Sequence, residues 1–413
     1  MREKLALVFP GSGSQYSGMA VQQYNESSVI RRTFEEADDV LGYGISDIIL
    51  NGNAIKLNRI NNMFLAIYIV SVGYFRRYIE EICVRPAFMA GHSLGEYTAL
   101  TCSGAMSFDN GLRIVKLRSR LAENVMKSVD ASMTIIKNVS PQFVEILCEQ
   151  ARANGGIVST ACYNSPSQVS ISGHDEVLRS IEQAVLKNNK DTQIINLLGS
   201  APYHCELMKP CVSVLEEELR KYRFSMGKCQ VISNVTGLPY TSVEEIIKLL
   251  SRQLYQPVKW QQTLQYLLNE KIKTMVEVGP QNVLKKIAIE NSDRMKTYAY
   301  DEYLDRDNLK RTLLENPVAK NRLKAIAMCI TQASSLKNCN TDPDYDNTKS
   351  RVLYEQTRAM KAKIENAEVT VCDEHVESAF GMLEAVFEEK QTPIRERESR
   401  LKMIIEKSNL DEA

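Results

Sequence analysis

The chain has 413 residues, 44% of them hydrophobic and 25% charged. That is the composition of a globular protein, long enough for two or three domains. Its 51 basic and 51 acidic residues cancel, which leaves no case for nucleic acid or an anionic membrane as the main partner. Met1 runs straight into a strand-like segment without a signal peptide, and no apolar run approaches bilayer length. The ten cysteines are scattered, with no Cys-x-x-Cys and no Cys/His cluster at zinc spacing. A cytoplasmic protein with reduced thiols and no metal site is expected.

Leu5 to Pro10 reads as a buried strand, and Gly11-Ser-Gly-Ser-Gln15 after it as a glycine-rich turn. No Gly-Lys-Ser/Thr follows, and Gly18 comes too late for a dinucleotide fingerprint. The turn is either a flexible loop or a set of backbone N–H groups offered to a developing negative charge. Residues 20–81 are mostly helical, with one long helix from Asn62 to Tyr78. Phe88 to Leu100 then reads as a short apolar strand, a tight turn and a helix. Inside it, Gly91-His-Ser-Leu-Gly95 fits G-x-S-x-G, the nucleophile elbow. A serine on so sharp a turn is crowded from two residues on either side, and glycines at both places relieve the clash and expose the hydroxyl. The helix behind it aims backbone N–H groups and the positive end of its dipole at the reaction centre. Ser93 is therefore read as a nucleophile.

The helix from Asp109 to Lys127 is informative through its period. At about 100° per residue, Ile114, Leu121 and Val125 form one apolar stripe with Ala122 at its side, while Arg113, Lys116, Arg120, Glu123 and Lys127 lie opposite. Arg118 falls inside the stripe, where an unpaired charge is costly. It either makes a structural ion pair or forks its guanidinium onto a substrate carboxylate.

Next come a strand at Met133–Lys137, a helix at Pro141–Asn154, strands at Ile157–Tyr163 and Gln168–Ser172 split by the turn Asn164-Ser-Pro166, a helix at His174–Lys187 and a strand at Thr192–Leu198. That β-α-β-β-α-β order is the ferredoxin-like pattern. The chain returns through Ser200-Ala-Pro-Tyr-His-Cys205 to an amphipathic helix ending at Tyr222. After that come a strand at Gln230–Val235, a helix at Ser242–Tyr255, a helix at Trp260–Asn269, a strand at Thr274–Gly279 and a helix at Gln281–Glu290. Strands alternating with helices indicate a parallel sheet covered on both faces.

The expected fold is thus α/β. An α/β-hydrolase-like parallel-sheet domain spans residues 1–130 and 198–295, and a ferredoxin-like small domain spans 131–197. Residues 301–413, including the polar stretch Ser334–Lys349, form a C-terminal extension that is a packed helical appendage, a docking element or partly disordered.

A serine nucleophile needs a general base within hydrogen-bond reach, and the chain has only four histidines. His92 adjoins Ser93 on the turn and should point away from the hydroxyl. His174 begins a helix, where capping suits it, and His375 lies in the extension. His204 remains. No acidic residue stands out as the third member of a triad.

These segments resemble malonyl-CoA:acyl carrier protein transacylases and the related acyltransferase domains of polyketide synthases, over roughly residues 1–295. The matching stretches are Phe9-Pro-Gly-Ser-Gly-Ser-Gln15, Ala90-Gly-His-Ser-Leu-Gly-Glu-Tyr97, Arg118, Asn164-Ser-Pro166, Pro202-Tyr-His-Cys205, Gln253-Leu-Tyr-Gln-Pro-Val258 and Glu277-Val-Gly-Pro280. The resemblance implies a ping-pong mechanism. Ser93, activated by His204, takes malonyl from coenzyme A as an ester and passes it to a carrier-protein phosphopantetheine thiol, with no cofactor resident on the enzyme. It also implies that the Gln253 backbone carbonyl orients the histidine, that the N–H groups of Ser12 and Leu94 form the oxyanion hole, and that Arg118 clamps the malonyl carboxylate. His92, Asn164 and Tyr203 fall among the substrate-binding positions. Two departures are visible. Ser12 stands where the family usually has glutamine, and bulky Tyr203 stands where the fatty-acid enzymes have a small residue, which favours malonyl over methylmalonyl. The extension is atypical of the housekeeping enzyme and suits a discrete, trans-acting acyltransferase of a polyketide or hybrid assembly line. The rivals are an acyl hydrolase that clears stalled chains from carrier proteins, a silent docking protein and a general serine esterase. Arg118, the Ser93–His204 pair and the inserted domain argue against them in turn.

Overall fold

The computed structural model describes residues 4–82, 84–197, 200–315, 317–342, 347–366 and 369–410. Leu198, which the sequence places at the end of a strand, the first three residues and residues 343–346 of the polar stretch lie outside the described residues. The strands are β1 (Leu5–Phe9), β2 (Phe88–Gly91), β3 (Ala131–Lys137), β4 (Val158–Ser165), β5 (Gln168–His174), β6 (Gln193–Leu197), β7 (Gln230–Ile232), β8 (Thr274–Glu277) and β9 (Lys296–Ala299). They form two compact sheets within one unit made of residues 4–77 and 86–302.

The larger sheet has the order β7-β2-β1-β8-β9, and every neighbouring pair is parallel. Its central strand β1 is Leu-Ala-Leu-Val-Phe, buried at all five positions, the continuous apolar run expected of a parallel strand covered on both faces. Strand β9 was not anticipated, because Lys296-Thr-Tyr-Ala299 carries no apolar run, and only Ala299 of the four is buried. Strand β7 shrinks from the expected six residues to three. The helix expected to end at Tyr222 is split into a 3-10 turn at Glu206–Cys211, with Pro210 inside it, and an α-helix at Val212–Leu219. Proline lacks the N–H that a continuous α-helix needs there.

The smaller sheet has the order β4-β5-β3-β6, antiparallel throughout. Counted within the inserted segment this is the fourth, first, third and second strand reversed, the ferredoxin-like arrangement. Helices Pro141–Ala153 and Asp175–Asn188 cover it over a core of Ile136, Val144, Val158, Val169, Ile171 and Val185. The turn between β4 and β5 is shorter than expected, because Asn164 and Ser165 belong to β4. A single parallel bridge from Cys162 to Val258 joins the small sheet to the chain after the helix Val243–Gln253.

A second compact unit contains Tyr78–Arg85 and residues from Tyr303 onward. Helices at Tyr303–Glu315, Pro317–Ser335, Thr348–Glu365, Asp373–Glu389 and Ile394–Ser408 supply its core, including Ile326, Cys329, Ile364, Leu383, Phe387 and Ile404. The extension is therefore a packed helical body with its own interior. No helix among the described residues is long and apolar enough to cross a membrane, and the described cysteines other than Cys372 are free.

Candidate active site

The elbow is built by close backbone approach. Strand β2 ends at Gly91 and the helix Leu94–Cys102 starts three residues later. Ser93 between them has φ 51° and ψ −106°, a left-handed conformation that a non-glycine residue adopts only when its surroundings enforce it. A Cβ on Gly91 would stand 1.9 Å from the carbonyl carbon of Gly95, and one on Gly11 would stand 2.6 Å from the His92 carbonyl oxygen. Glycine at both places is what lets β1's loop and the helix close on the serine.

His204 arrives from a loop 111 residues away in sequence. Its backbone is also left-handed, at φ 61°, and its N–H donates to the Leu254 carbonyl at 2.7 Å. Its Nε2 lies 2.8 Å from Ser93 Oγ. Its Nδ1 faces the backbone carbonyls of Gln253 and Gln256 at 2.8 and 3.1 Å. Carbonyl oxygens only accept, so Nδ1 carries the proton and Nε2 presents a lone pair to the serine hydroxyl. Burial lowers the imidazole pKa to about 3, with the Arg118 and His92 charges acting in the same direction. The neutral ring is therefore the resting form.

Arg118 lies on the buried face of the helix Phe108–Ser128, with no exposed surface. That face runs through Gly111, Ile114, Val115, Arg118, Ser119 and Ala122. Leu121 and Val125, assigned to the stripe from the period, are only half-buried, so the true face is rotated slightly from the expected one. The guanidinium lies 4.1 Å from the ring centre of Tyr203, 5.2 Å from Phe64 and 5.5 Å from Tyr97, with Phe64 and Tyr203 themselves in ring contact at 5.5 Å. Its Nη2 donates to Ser93 Oγ at 3.1 Å and to Gln253 Oε1 at 3.4 Å. Among the described residues no carboxylate pairs with it, and its Nε and Nη1 meet no acceptor. The structural ion pair is therefore absent. A guanidinium walled by three aromatic rings, with Nε and Nη1 unsatisfied, is instead a ready receptor for a carboxylate.

Most of the sequence-predicted residues line a cleft of about 290 Å³ that lies against the small sheet, whereas Leu94, Arg118 and Gln253 are not part of its lining. Ser12, His92, Ser93, Asn164, Tyr203 and His204 all line it. His92 Nε2 is 2.8 Å from Asn164 Oδ1 rather than on the serine, and its ring meets Trp260 edge-on at 5.5 Å. Neither the Ser12 nor the Leu94 N–H donates to another described group. His174 is the N-cap residue of Asp175–Asn188, but its side chain makes no capping bond. It is also the last residue of β5. His375 is the histidine that caps, with Nδ1 accepting from the Cys372 N–H at 3.3 Å. Among the described residues no group of His, Cys, Asp or Glu is arranged to hold a metal ion.

Three residues missed in the sequence complete the site. Asn234, after β7, accepts the Ser93 N–H on Oδ1 at 2.7 Å and donates Nδ2 to the Gly91 carbonyl at 2.6 Å. Glu96, fully buried in the first turn behind the serine, accepts from the Asn234 N–H, the Tyr240 hydroxyl and Gln253 Nε2 at 2.9, 2.6 and 2.6 Å. Burial raises its pKa to about 7, against the lowering effect of those bonds. Glu96 was legible in principle, since an acid inside an apolar helix is the same signal that exposed Arg118. Asn234 and Tyr240 carry no such mark.

Residues 6–307 match the family model described as acyl transferase domain. A malonyl CoA-acyl carrier protein transacylase of Bacillus subtilis is 30% identical over 394 residues, covering 95% of this chain and 98% of the relative, so that match runs on into the C-terminal helices. The protein of the same name from Escherichia coli strain K12 is 34% identical over 299 residues, 72% of this chain and 96% of its own. Among solved structures, FabD from Acinetobacter baumannii superposes with a TM-score of 0.71 at 32% identity, over 76% of this chain and 99% of that one. The malonyl-transacylase PlMCAT, solved with the type II polyketide acyl-carrier protein AntF, gives 0.70 at 32% identity, over 73% and 97%.

Proposed function

The chain belongs to the acyl transferase family, and on that premise we propose that it moves malonyl from coenzyme A to the phosphopantetheine thiol of an acyl carrier protein through a seryl ester. The observation that carries this reading is the convergence of His204 Nε2 and Arg118 Nη2 on one atom, Ser93 Oγ, at 2.8 and 3.1 Å.

In the first half-reaction Ser93 Oγ attacks the thioester carbonyl as its proton passes to His204 Nε2. The oxygen charge that develops is held by the N–H groups of Ser12 and Leu94, each such donor being worth about a hundred- to a thousandfold in rate. The carbon–sulfur bond then breaks, and the imidazolium returns its proton to the coenzyme A sulfur. In the second half the carrier's thiol attacks the ester carbonyl, His204 takes the thiol proton, and the ester C–O bond breaks to restore the serine hydroxyl. The carbonyls of Gln253 and Gln256 hold the imidazole in its reactive tautomer and serve in place of a triad acid. Arg118 receives the malonyl carboxylate on donors that lack a partner in the free protein, while Tyr203 limits space beside the acyl α-carbon. His92 and Asn164 line the thioester's path. The acyl group is carried on the serine and the phosphopantetheine on the partner, so the reaction asks for no resident cofactor. The free cysteines among the described residues, Cys372 aside, suit a cytoplasmic setting, where the product would extend chains on a fatty-acid or polyketide synthase.

Intact-protein mass spectrometry after brief incubation with malonyl-CoA, followed by addition of holo-carrier protein, tests the proposal. A malonyl adduct that is absent from Ser93→Ala and that moves to the carrier supports it. Release of most of the acyl group to water in the presence of carrier would overturn it in favour of a hydrolase.

A further inference from the structure

We propose that Glu96 is a positioning residue for Arg118, acting through the side-chain amide of Gln253; this rests on the reading that Arg118 receives the acyl carboxylate. Gln253 is fully buried and bonded at every polar atom of its side chain. Its Nε2 donates to the Ser93 carbonyl at 2.9 Å and to Glu96 Oε2 at 2.6 Å, and its Oε1 accepts from Arg118 Nη2 at 3.4 Å. The guanidinium can only donate, and the carboxylate and carbonyl accept, so one orientation alone satisfies all three partners. Turned over, the amide would set NH2 against guanidinium and oxygen against two acceptors.

Glu96 is the group that enforces the choice. Its Oε1 is taken by the Tyr240 hydroxyl and the Asn234 N–H, which leaves Oε2 as the acceptor for Gln253. The amide then lies between the buried guanidinium and the buried carboxyl group, its oxygen toward the first and its NH2 toward the second. Its oxygen holds Nη2 beside Ser93 while Nε and Nη1 face no acceptor. Glutamine at position 96 would keep its oxygen for Tyr240 and Asn234 and present NH2 to the NH2 of Gln253. The Gln253 amide would have to turn, and Arg118 would lose its acceptor. His204 is not on this line, because its Nδ1 uses the backbone carbonyls of Gln253 and Gln256. Loss of Glu96 therefore acts on acyl selection rather than on the base.

The test follows acyl-enzyme formation by the full chain, using malonyl-CoA and acetyl-CoA in competition. The variants are Glu96→Gln, Glu96→Asp, Gln253→Ala (which keeps the backbone carbonyl), the double variant Glu96→Gln/Gln253→Ala, and Arg118→Ala. Glu96→Gln and Gln253→Ala should each lower the malonyl-to-acetyl ratio about tenfold, the scale of one buried charge-assisted hydrogen bond. The double variant should fall no further than either single one, and Glu96→Asp should recover part of the ratio. Equal loss for both substrates in Glu96→Gln, or additive losses in the double variant, would overturn the proposal. If Glu96→Gln does not fold, a Gln253→Ala protein with unchanged ratio overturns it just as well. Arg118→Ala separates the two readings. A malonyl preference that survives in that variant removes the role of the arginine itself, whereas loss there with full preference in the Glu96 and Gln253 variants removes only the relay.

Discussion

A Cβ on Gly95 would stand 1.9 Å from the carbonyl oxygen of Phe9, so the helix behind Ser93 and the end of β1 touch through bare backbone. Gly95→Ala must push the two apart, and the neighbour is main chain that cannot swing aside. We expect a loss of about 1–3 kcal/mol or more from overpacking, together with loss of acyl loading. Gly44→Ala is the control, since a Cβ there meets nothing within 4 Å and its φ is −73°. Thermal unfolding and mass spectrometry of the two proteins check this. A Gly95→Ala protein as stable and as readily acylated as Gly44→Ala would contradict the close-packed elbow.

Arg118→Ala removes the cation and leaves Ser93 and His204 in place. Losing a charge-assisted hydrogen bond costs about 1.5–3 kcal/mol, so malonyl loading should fall by about ten- to a hundredfold while acetyl loading holds or rises. Arg118→Lys should restore little, because an ammonium cannot reproduce the planar fork or its stacking on Tyr203. Competition between the two thioesters, read as the acyl-enzyme mass ratio, decides it.

The Tyr203 ring packs at 4.1 Å on the Arg118 guanidinium and at 5.5 Å on Phe64. Replacing Tyr203 by alanine opens space beside the acyl α-carbon and removes a cation–π contact worth about 0.5–2 kcal/mol. The methylmalonyl-to-malonyl loading ratio should rise several-fold while total malonyl loading drops. An unchanged ratio would show that the ring does not bound the acyl group.

Two buried titrating groups of the site, His204 and Glu96, push stability in opposite directions with pH. His204 has its pKa lowered from 6.5 to about 3, so between those values the unfolded chain binds the extra proton and acidification destabilises the fold. Glu96 has its pKa raised from 4.5 to about 7, so between those values the folded chain binds the extra proton and acidification stabilises it. Relative to wild type, His204→Ala should therefore gain stability on going from pH 8 to pH 5, and Glu96→Gln should lose it. Urea unfolding at both pH values measures the two differences, and changes of the reverse sign would contradict the buried states described here.

The elbow was legible because its requirement is local. Gly91, Ser93 and Gly95 are two residues apart, and the steric demand of a strand turning into a helix acts over that distance alone. Arg118 was legible because a helical period is also local, although the face it marked was rotated so that Ser119 replaced Val125. The β-α-β-β-α-β order of the small domain could be read for the same reason. Its turn was placed two residues too early because Asn164 and Ser165, polar and turn-forming by type, belong to β4, where Ser165 pairs with Gln168 on β5 and Asn164 sits at a register shift.

Sequence alone thus marked Ser93 and Arg118, each flagged by a pattern a few residues wide. Only the tertiary structure decided how they are held. His204 was reached by elimination, but its tautomer depends on the carbonyls of Gln253 and Gln256, and a backbone carbonyl is the same atom in every residue and leaves no mark in the sequence. Asn234 binds the Ser93 N–H from 141 residues away, and Gln253 reaches Glu96 across 157. Separations of that size are set by the closing of the parallel sheet, where β7 and β2 lie side by side, and no local pattern carries them.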